Sequence, residues 1–141
     1  MKFKNYINVN EKIYVPGINE VSVGSCIVYM MNSISQFHIW HLLAKSGQKH
    51  TALNELYTGL QDELDDLAEI FIAGGGILQP VEISLITEYN DDSIRSEYAM
   101  LRNKLSQAIS ETSAPDMRSI QHELIEIQEL VNKSMYKFDL E

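Results

Sequence analysis

Three of the four histidines in this chain, His38, His41 and His50, fall within one thirteen-residue run, HIWHLLAKSGQKH. A neutral imidazole offers one ring nitrogen to a divalent cation while a hydrogen bond holds the other. Histidines set among Ile39, Trp40, Leu42 and Leu43 are therefore either satisfied core residues or ligands. The stretch that follows, NELYTGLQDELDDLAE, carries Asp62, Asp65, Asp66 and Glu69, and the four-residue step from Asp65 to Glu69 puts that pair on one helix face. Neutral imidazole and carboxylate together are the ligands of non-haem iron and of similar hard or borderline cations. The fourth histidine stands apart: His122 follows Ile120 by about 200° of helical rotation, which assigns it to a solvated face.

The elements that must position these groups are helices. Alternating steps of four and three predict a first helix from Ser22, with Ile27, Met31, Ile34, His38, His41 and Lys45 as its inward seam and a break at Ser46-Gly47-Gln48. A second helix, His50 to Ala73, has the seam His50, Leu53, Tyr57, Leu60, Leu64, Leu67 and Phe71 and stops at Gly74-Gly75-Gly76. From Ile77 to Asn90, Pro80 and the β-branched Val81, Ile83, Ile86 and Thr87 disfavour a helix and suit a connection that crosses the bundle. A third helix opens at Asp91, Asp92 or Ser93, faces Ile94, Tyr98, Leu101, Leu105 and Ile109 inward, and ends near Ser113. Pro115 begins the fourth, with the seam Met117, Ile120, Leu124, Ile127, Val131 and Phe138, and Asn132 to Glu141 is expected to fray. Residues 1–20 show no helical period and read as an extended arm ahead of a bundle over 21–141. Two helical hairpins and one longer crossover make an all-α, four-helix bundle of ferritin-like type, up-down-down-up.

That arrangement separates the two ligand classes. If the first two helices pair antiparallel, His38 lies level with roughly residue 57. At about 1.5 Å per residue, Asp65 is then on the order of 12 Å further along the second helix and Glu69 further still. Metal–ligand distances near 2 Å cannot bridge that gap. The two carboxylates also sit well off the apolar seam, so the arithmetic favours a site shared by two chains about a twofold axis, imidazoles from one and carboxylates from the other.

Composition narrows the alternatives. With 141 residues, of which 45% are hydrophobic and 22% charged, the chain has room for one domain with a real core. Neither a spanning stretch nor a signal-peptide h-region is expected, which points to a cytosolic protein with no membrane partner. The net charge of -9 is concentrated: ten carboxylates and no Lys or Arg lie between Thr51 and Ile94. That stretch attracts cations and repels nucleic acid, and Lys2, Lys4 and Lys12 are too few for a basic tail, so DNA binding is not expected. The lone Cys26, among Val23, Ile27 and Val28, reads as a small buried hydrophobe.

The run from QFHIWH to DDLAE resembles the core of the starvation-induced miniferritins, the Dps family. On that pattern, without a gap, His38 and His50 match the family's two histidines, and Asp65 and Glu69 match the Asp and Glu contributed by its twofold partner. Asn54 stands where the family has a further carboxylate, and Glu69-Ile70 replaces its Glu-Arg pair, which puts the second iron position in doubt. The chain is also similar to a ferritin-like family of tailed phages with H-x-x-H, His-x-Ala-Leu and Asp-x-x-x-Glu motifs, here His38/His41, His50-Thr51-Ala52-Leu53 and Asp65/Glu69. The resemblance implies iron as the metal, a ferroxidase activity, a homo-oligomer of two chains or more, and a place in the host cytoplasm or the virion. His41, Asn54, Tyr57 and Asp62 become groups that orient the ligands by hydrogen bonds, or alternative ligands. The competing class is a non-enzymatic virion or assembly protein, bound to other phage structural proteins, that uses the bundle as a scaffold. The apolar arm and the absence of a Glu-x-x-His in the fourth helix favour it.

Overall fold

The computed structural model describes residues 16–140, with side chains from Ser22 onward. Four helices pack together as a bundle: α1 Pro16–Leu43, α2 Gly47–Ala73, α3 Asp91–Ser110 and α4 Arg118–Phe138, the last preceded by a 3-10 turn at Pro115–Met117. No strand occurs among the described residues. No helix there is long and apolar enough to cross a membrane.

The last three helices owe their orientation to clean segregation of apolar and charged residues. Leu53, Leu56, Leu60, Leu64, Leu67 and Phe71 of α2 are buried, as are Ile94, Tyr98, Leu101 and Leu105 of α3 and Leu124, Ile127, Val131 and Phe138 of α4. These spacings of three and four form the stripe that a bundle core requires. Local signals set the starts: the Ser46 side chain accepts from the Lys49 amide at the head of α2, and Asn90 caps α3 by accepting from the Ser93 amide. Asp91 and Asp92 in the first turn of α3 add favourable charge at the helix N-terminus.

Cross-helix contacts fix the register. Ser134 of α4 donates to the Ala52 carbonyl of α2 at 3.0 Å, and the Tyr98 hydroxyl of α3 lies 2.7 Å from the same Ser134 oxygen. Because the serine's one proton goes to the carbonyl, the tyrosine is the donor, and three helices are tied at one buried hydroxyl. Nearby, the buried Lys49 Nζ donates to the Phe138 carbonyl at 3.0 Å and lies 4.6 Å over the Phe138 ring. At the other contact, Tyr29 of α1 donates to the Glu97 carboxylate of α3.

The connection from 74 to 90 meets α1 near both of its ends. The Gln36 side chain clamps Ile86 through both its polar atoms, donating to the carbonyl at 2.9 Å and accepting from the amide at 2.7 Å. Trp40 Nε1 donates to the Glu88 carbonyl at 3.0 Å. At Gly24 the crossover comes so close that a Cβ would lie 2.3 Å from the Ile77 carbonyl oxygen. Gly75, at φ 96°, makes the turn that a side chain would strain.

Several expectations need correction. The α1 seam is partly misphased: Ile27 is buried and Ile34 packs against the core as expected, but the other buried residues are Val23, Gly24, Cys26, Tyr29, Met30, Ser33, Gln36, Phe37 and Trp40, while Met31 is 47% exposed and His38 and Lys45 face outward. Helix α1 starts at Pro16, not Ser22, so 16–20 of the expected arm are helical, and residues 1–15 lie outside the described residues. The residues Gly47 and Gln48, read as a break, form the first turn of α2. Helix α3 ends at Ser110, short of Ser113. Asn132–Phe138 do not fray, because Ser134 and Phe138 are buried and Asp139 pairs with Arg95 at 2.8 Å. Tyr57 is half-buried and Leu56 takes the core position beside it. Cys26 is buried, and burial pushes its thiol up to about 12, so it is inert as a nucleophile.

Candidate functional site

The turn between α1 and α2 gathers the three histidines with Tyr57. His41 comes from the last turn of α1 and His50 from the first turns of α2. The antiparallel hairpin sets their Nε2 atoms 3.1 Å apart and their ring centroids 4.1 Å apart. His50 Nδ1 lies 3.1 Å from the carbonyl oxygen of His41. A carbonyl only accepts, so the Nδ1 of His50 carries the proton, and in the neutral ring its Nε2 is a bare lone pair. Within the pair His41 Nε2–H must then be the donor, and His41 Nδ1, which is buried, has no hydrogen-bond partner among the described residues. Burial, and then the charges that His50 and His38 carry when protonated, hold the His41 pKa below its usual value, so that ring is neutral at pH 7.

His38 does not join the pair through its nitrogens. It stacks on Tyr57 with ring centroids 4.2 Å apart and planes 10° apart, and its ring is 6.0 Å from that of His41. Tyr57 also lies 5.2 Å from the His41 ring, forming the floor of the corner. His38 and His50 are exposed and His41 is half-buried. All three are expected to point toward the bundle interior or its rim; His41 lies at the rim, whereas His38 is turned outward because the rotation of α1 that buries Trp40 carries it away from the core, and His50 is exposed at the start of α2.

Asp62, Asp65 and Glu69 are exposed on α2, and Asn54 is half-buried one turn after His50. Asp65 and Glu69 follow His50 by about 22 Å and about 28 Å along the helix axis, so one chain cannot bring them to the histidine corner.

Sequence reasoning missed a second acidic group, Glu63, Asp66 and Glu123, whose carboxylate oxygens lie within 4.8 Å of one another between α2 and α4. Glu63 and Asp66 are one turn apart and visible in the sequence, but Glu123 joins them only through the α2–α4 register. Partial burial first, and then the nearby carboxylates of Glu63, Asp66 and Glu126, raise the pKa of Glu123. A carboxyl raised in the folded state holds its proton more tightly there than in the unfolded chain. Folding is therefore favoured by protonation and weakened as pH rises through the carboxylate range. Glu123→Gln is expected to raise the melting temperature at neutral pH, by the equivalent of less than about 1 kcal/mol, with the gain fading at acid pH. Melting curves of both chains at neutral and acid pH check this, and a less stable variant at neutral pH would contradict it.

Elsewhere, His122 is exposed and lies 3.3 Å from Glu126 one turn on, as its solvated position predicts. Comparison of the chain with protein-family models, with curated proteins and with solved structures returned no match.

Proposed function

We propose that this chain is a ferritin-like, Dps-type protein that takes Fe(II) as substrate at a site assembled between two chains, with His38 and His50 from one and Asp65 and Glu69 from the other. The carrying observation is that both sets are exposed yet lie far apart on one chain, so each is open to a neighbour. The bundle supports the reading: α1 pairs antiparallel with α2 and with α3, and α4 with α2 and with α3, which is the up-down-down-up order of ferritin-like folds. Imidazole and carboxylate would hold the iron, and His41 and Tyr57 would shape the pocket wall while Asn54 and Asp62 lie further along the same helix. Each Fe(II) gives up one electron, and two such electrons with two protons reduce one hydrogen peroxide to two waters. Asn54, a neutral amide where the family has a carboxylate, favours one tight iron per site.

A second reading is a non-enzymatic virion or assembly protein. Its support is the apolar surface of the crossover, where Ile77, Leu78, Ile83, Leu85 and Ile86 are all exposed.

Complementation separates them. A His38→Ala/His50→Ala chain and an Asp65→Ala/Glu69→Ala chain should each lose Fe(II) binding and peroxide-dependent oxidation while keeping wild-type helicity. After subunit exchange, a mixed dimer has one intact composite site and one with neither half, so binding should return at no more than one site per mixed dimer. Absence of rescue at every mixing ratio, or unchanged binding by either variant alone, would sink the shared site.

A further inference from the structure

We infer that His41 and His50 of a single chain form a two-imidazole chelate for a borderline divalent cation such as zinc or cobalt, one that needs neither a carboxylate nor a second chain. This goes beyond the shared iron site, which draws His38 and His50 from one chain and has His41 as a wall residue or alternative ligand, because here His50 pairs with His41 and with nothing from a second chain.

The geometry is that of two ligands on one ion. With metal–nitrogen distances of about 2.05 Å, two Nε2 atoms 3.1 Å apart subtend about 98° at the ion, and an expansion to about 3.35 Å gives the tetrahedral angle. The His50 ring is already oriented for it. Its Nδ1–H is held by the His41 carbonyl, which fixes the tautomer and leaves the Nε2 lone pair free, the outer-sphere arrangement usual for ligating histidines. His41 needs only a tautomer change. The proton on Nε2 moves to Nδ1 and frees the second lone pair, with no proton lost from the protein, and the buried Nδ1–H, which has no acceptor among the described residues, is a cost that the metal–nitrogen bond offsets.

The cation would replace the single Nε2–H···Nε2 hydrogen bond. Because His50 is exposed and His41 half-buried, an ion and its water ligands reach the pair without opening the core. His38, engaged with Tyr57, does not converge on the same point, so the remaining coordination positions stay open. Imidazoles without thiolate or carboxylate favour zinc, cobalt, nickel and copper over magnesium or calcium.

The test is a Zn(II) titration of the full chain by calorimetry, with helicity of every variant checked by circular dichroism. The unmutated chain should bind zinc. His41→Gln and His50→Gln should each weaken that binding by at least about tenfold, because either change turns a chelate into a single ligand. His122→Gln, at the exposed histidine outside both sites, should bind as the unmutated chain does, and the Asp65→Ala/Glu69→Ala chain should keep the zinc contacts of His41 and His50. On the unmutated chain, long-range imidazole spectra should show zinc shifting Nε2 of His41 and of His50 while Nδ1 of His50 stays protonated. Zinc binding unaffected by His41→Gln, or zinc shifts confined to His38, would overturn the chelate. So would loss of the zinc shifts at His41 and His50 in the Asp65→Ala/Glu69→Ala chain. Retention of Fe(II) by that same chain would instead overturn the shared iron site and leave the chelate standing.

Discussion

Trp40→Ala is expected to destabilise the fold by about 3–5 kcal/mol, the range for deleting a fully buried large aromatic side chain. Trp40 is 1% exposed, meets Phe37 edge-on at 5.5 Å, and donates its indole N–H to the Glu88 carbonyl just ahead of α3. Alanine removes the packing and the donor together. Trp40→Phe separates the two, since it keeps much of the apolar contact and loses only the hydrogen bond, at about 1 kcal/mol because the carbonyl lies in an exposed segment that water can reach. Urea denaturation of the three chains measures both differences. A loss below about 1 kcal/mol for Trp40→Ala would mean that this end of α1 is not the packed corner the structure describes.

Trp40 also shows where the sequence was and was not readable. Helices α2, α3 and α4 each carry charged residues on one face, so the phase of Leu60, Leu101 or Leu124 follows from spacing alone, and all three are buried. Helix α1 has almost no charged residue to set its phase. Between Val21 and Leu43 it is apolar nearly all round, because it serves two partners, the other helices on one side and the crossover on the other. With apolar residues at every angle, the Ile27–Met31–Ile34–His38 row looks as regular as the true one, and that row puts His38 inward. Their grouping survives the error, since it depends on the hairpin and not on the helix phase: His41 and His50 meet because the turn at Ser46 is short. The outward position of Asp65 and Glu69 was legible for the same reason that α2 was. Gln36 carried no signal at all, because its clamp on Ile86 requires the path of a connection that periodicity does not describe.

That path gives the second large effect, at Gly24. Gly→Ala inside a helix ordinarily gains about 1 kcal/mol, because alanine restricts the unfolded chain and favours the helical backbone. Here the new Cβ would stand 2.3 Å from the Ile77 carbonyl oxygen and 3.3 Å from Gln79 Cγ, and the first of these is backbone that cannot rotate away. Relief requires the crossover to retreat by about an ångström, yet it is pinned close by on both sides. Upstream, Gly76 is packed so closely on the Phe71 ring that a Cβ there would lie 2.4 Å from it, and downstream Gln36 holds Ile86. Overpacking of this kind costs about 1–3 kcal/mol, which outweighs the propensity gain, so Gly24→Ala should be less stable than the unmutated chain. The strain falls on one segment, so limited proteolysis should cut faster around Leu78, which is already exposed, than elsewhere. Gly47→Ala is the matched control, since its Cβ would meet nothing within 4 Å and should leave stability level or slightly raised. If Gly24→Ala instead gains as much as an open helical site does, with no change in cleavage near Leu78, the crossover does not lie against α1 at this point.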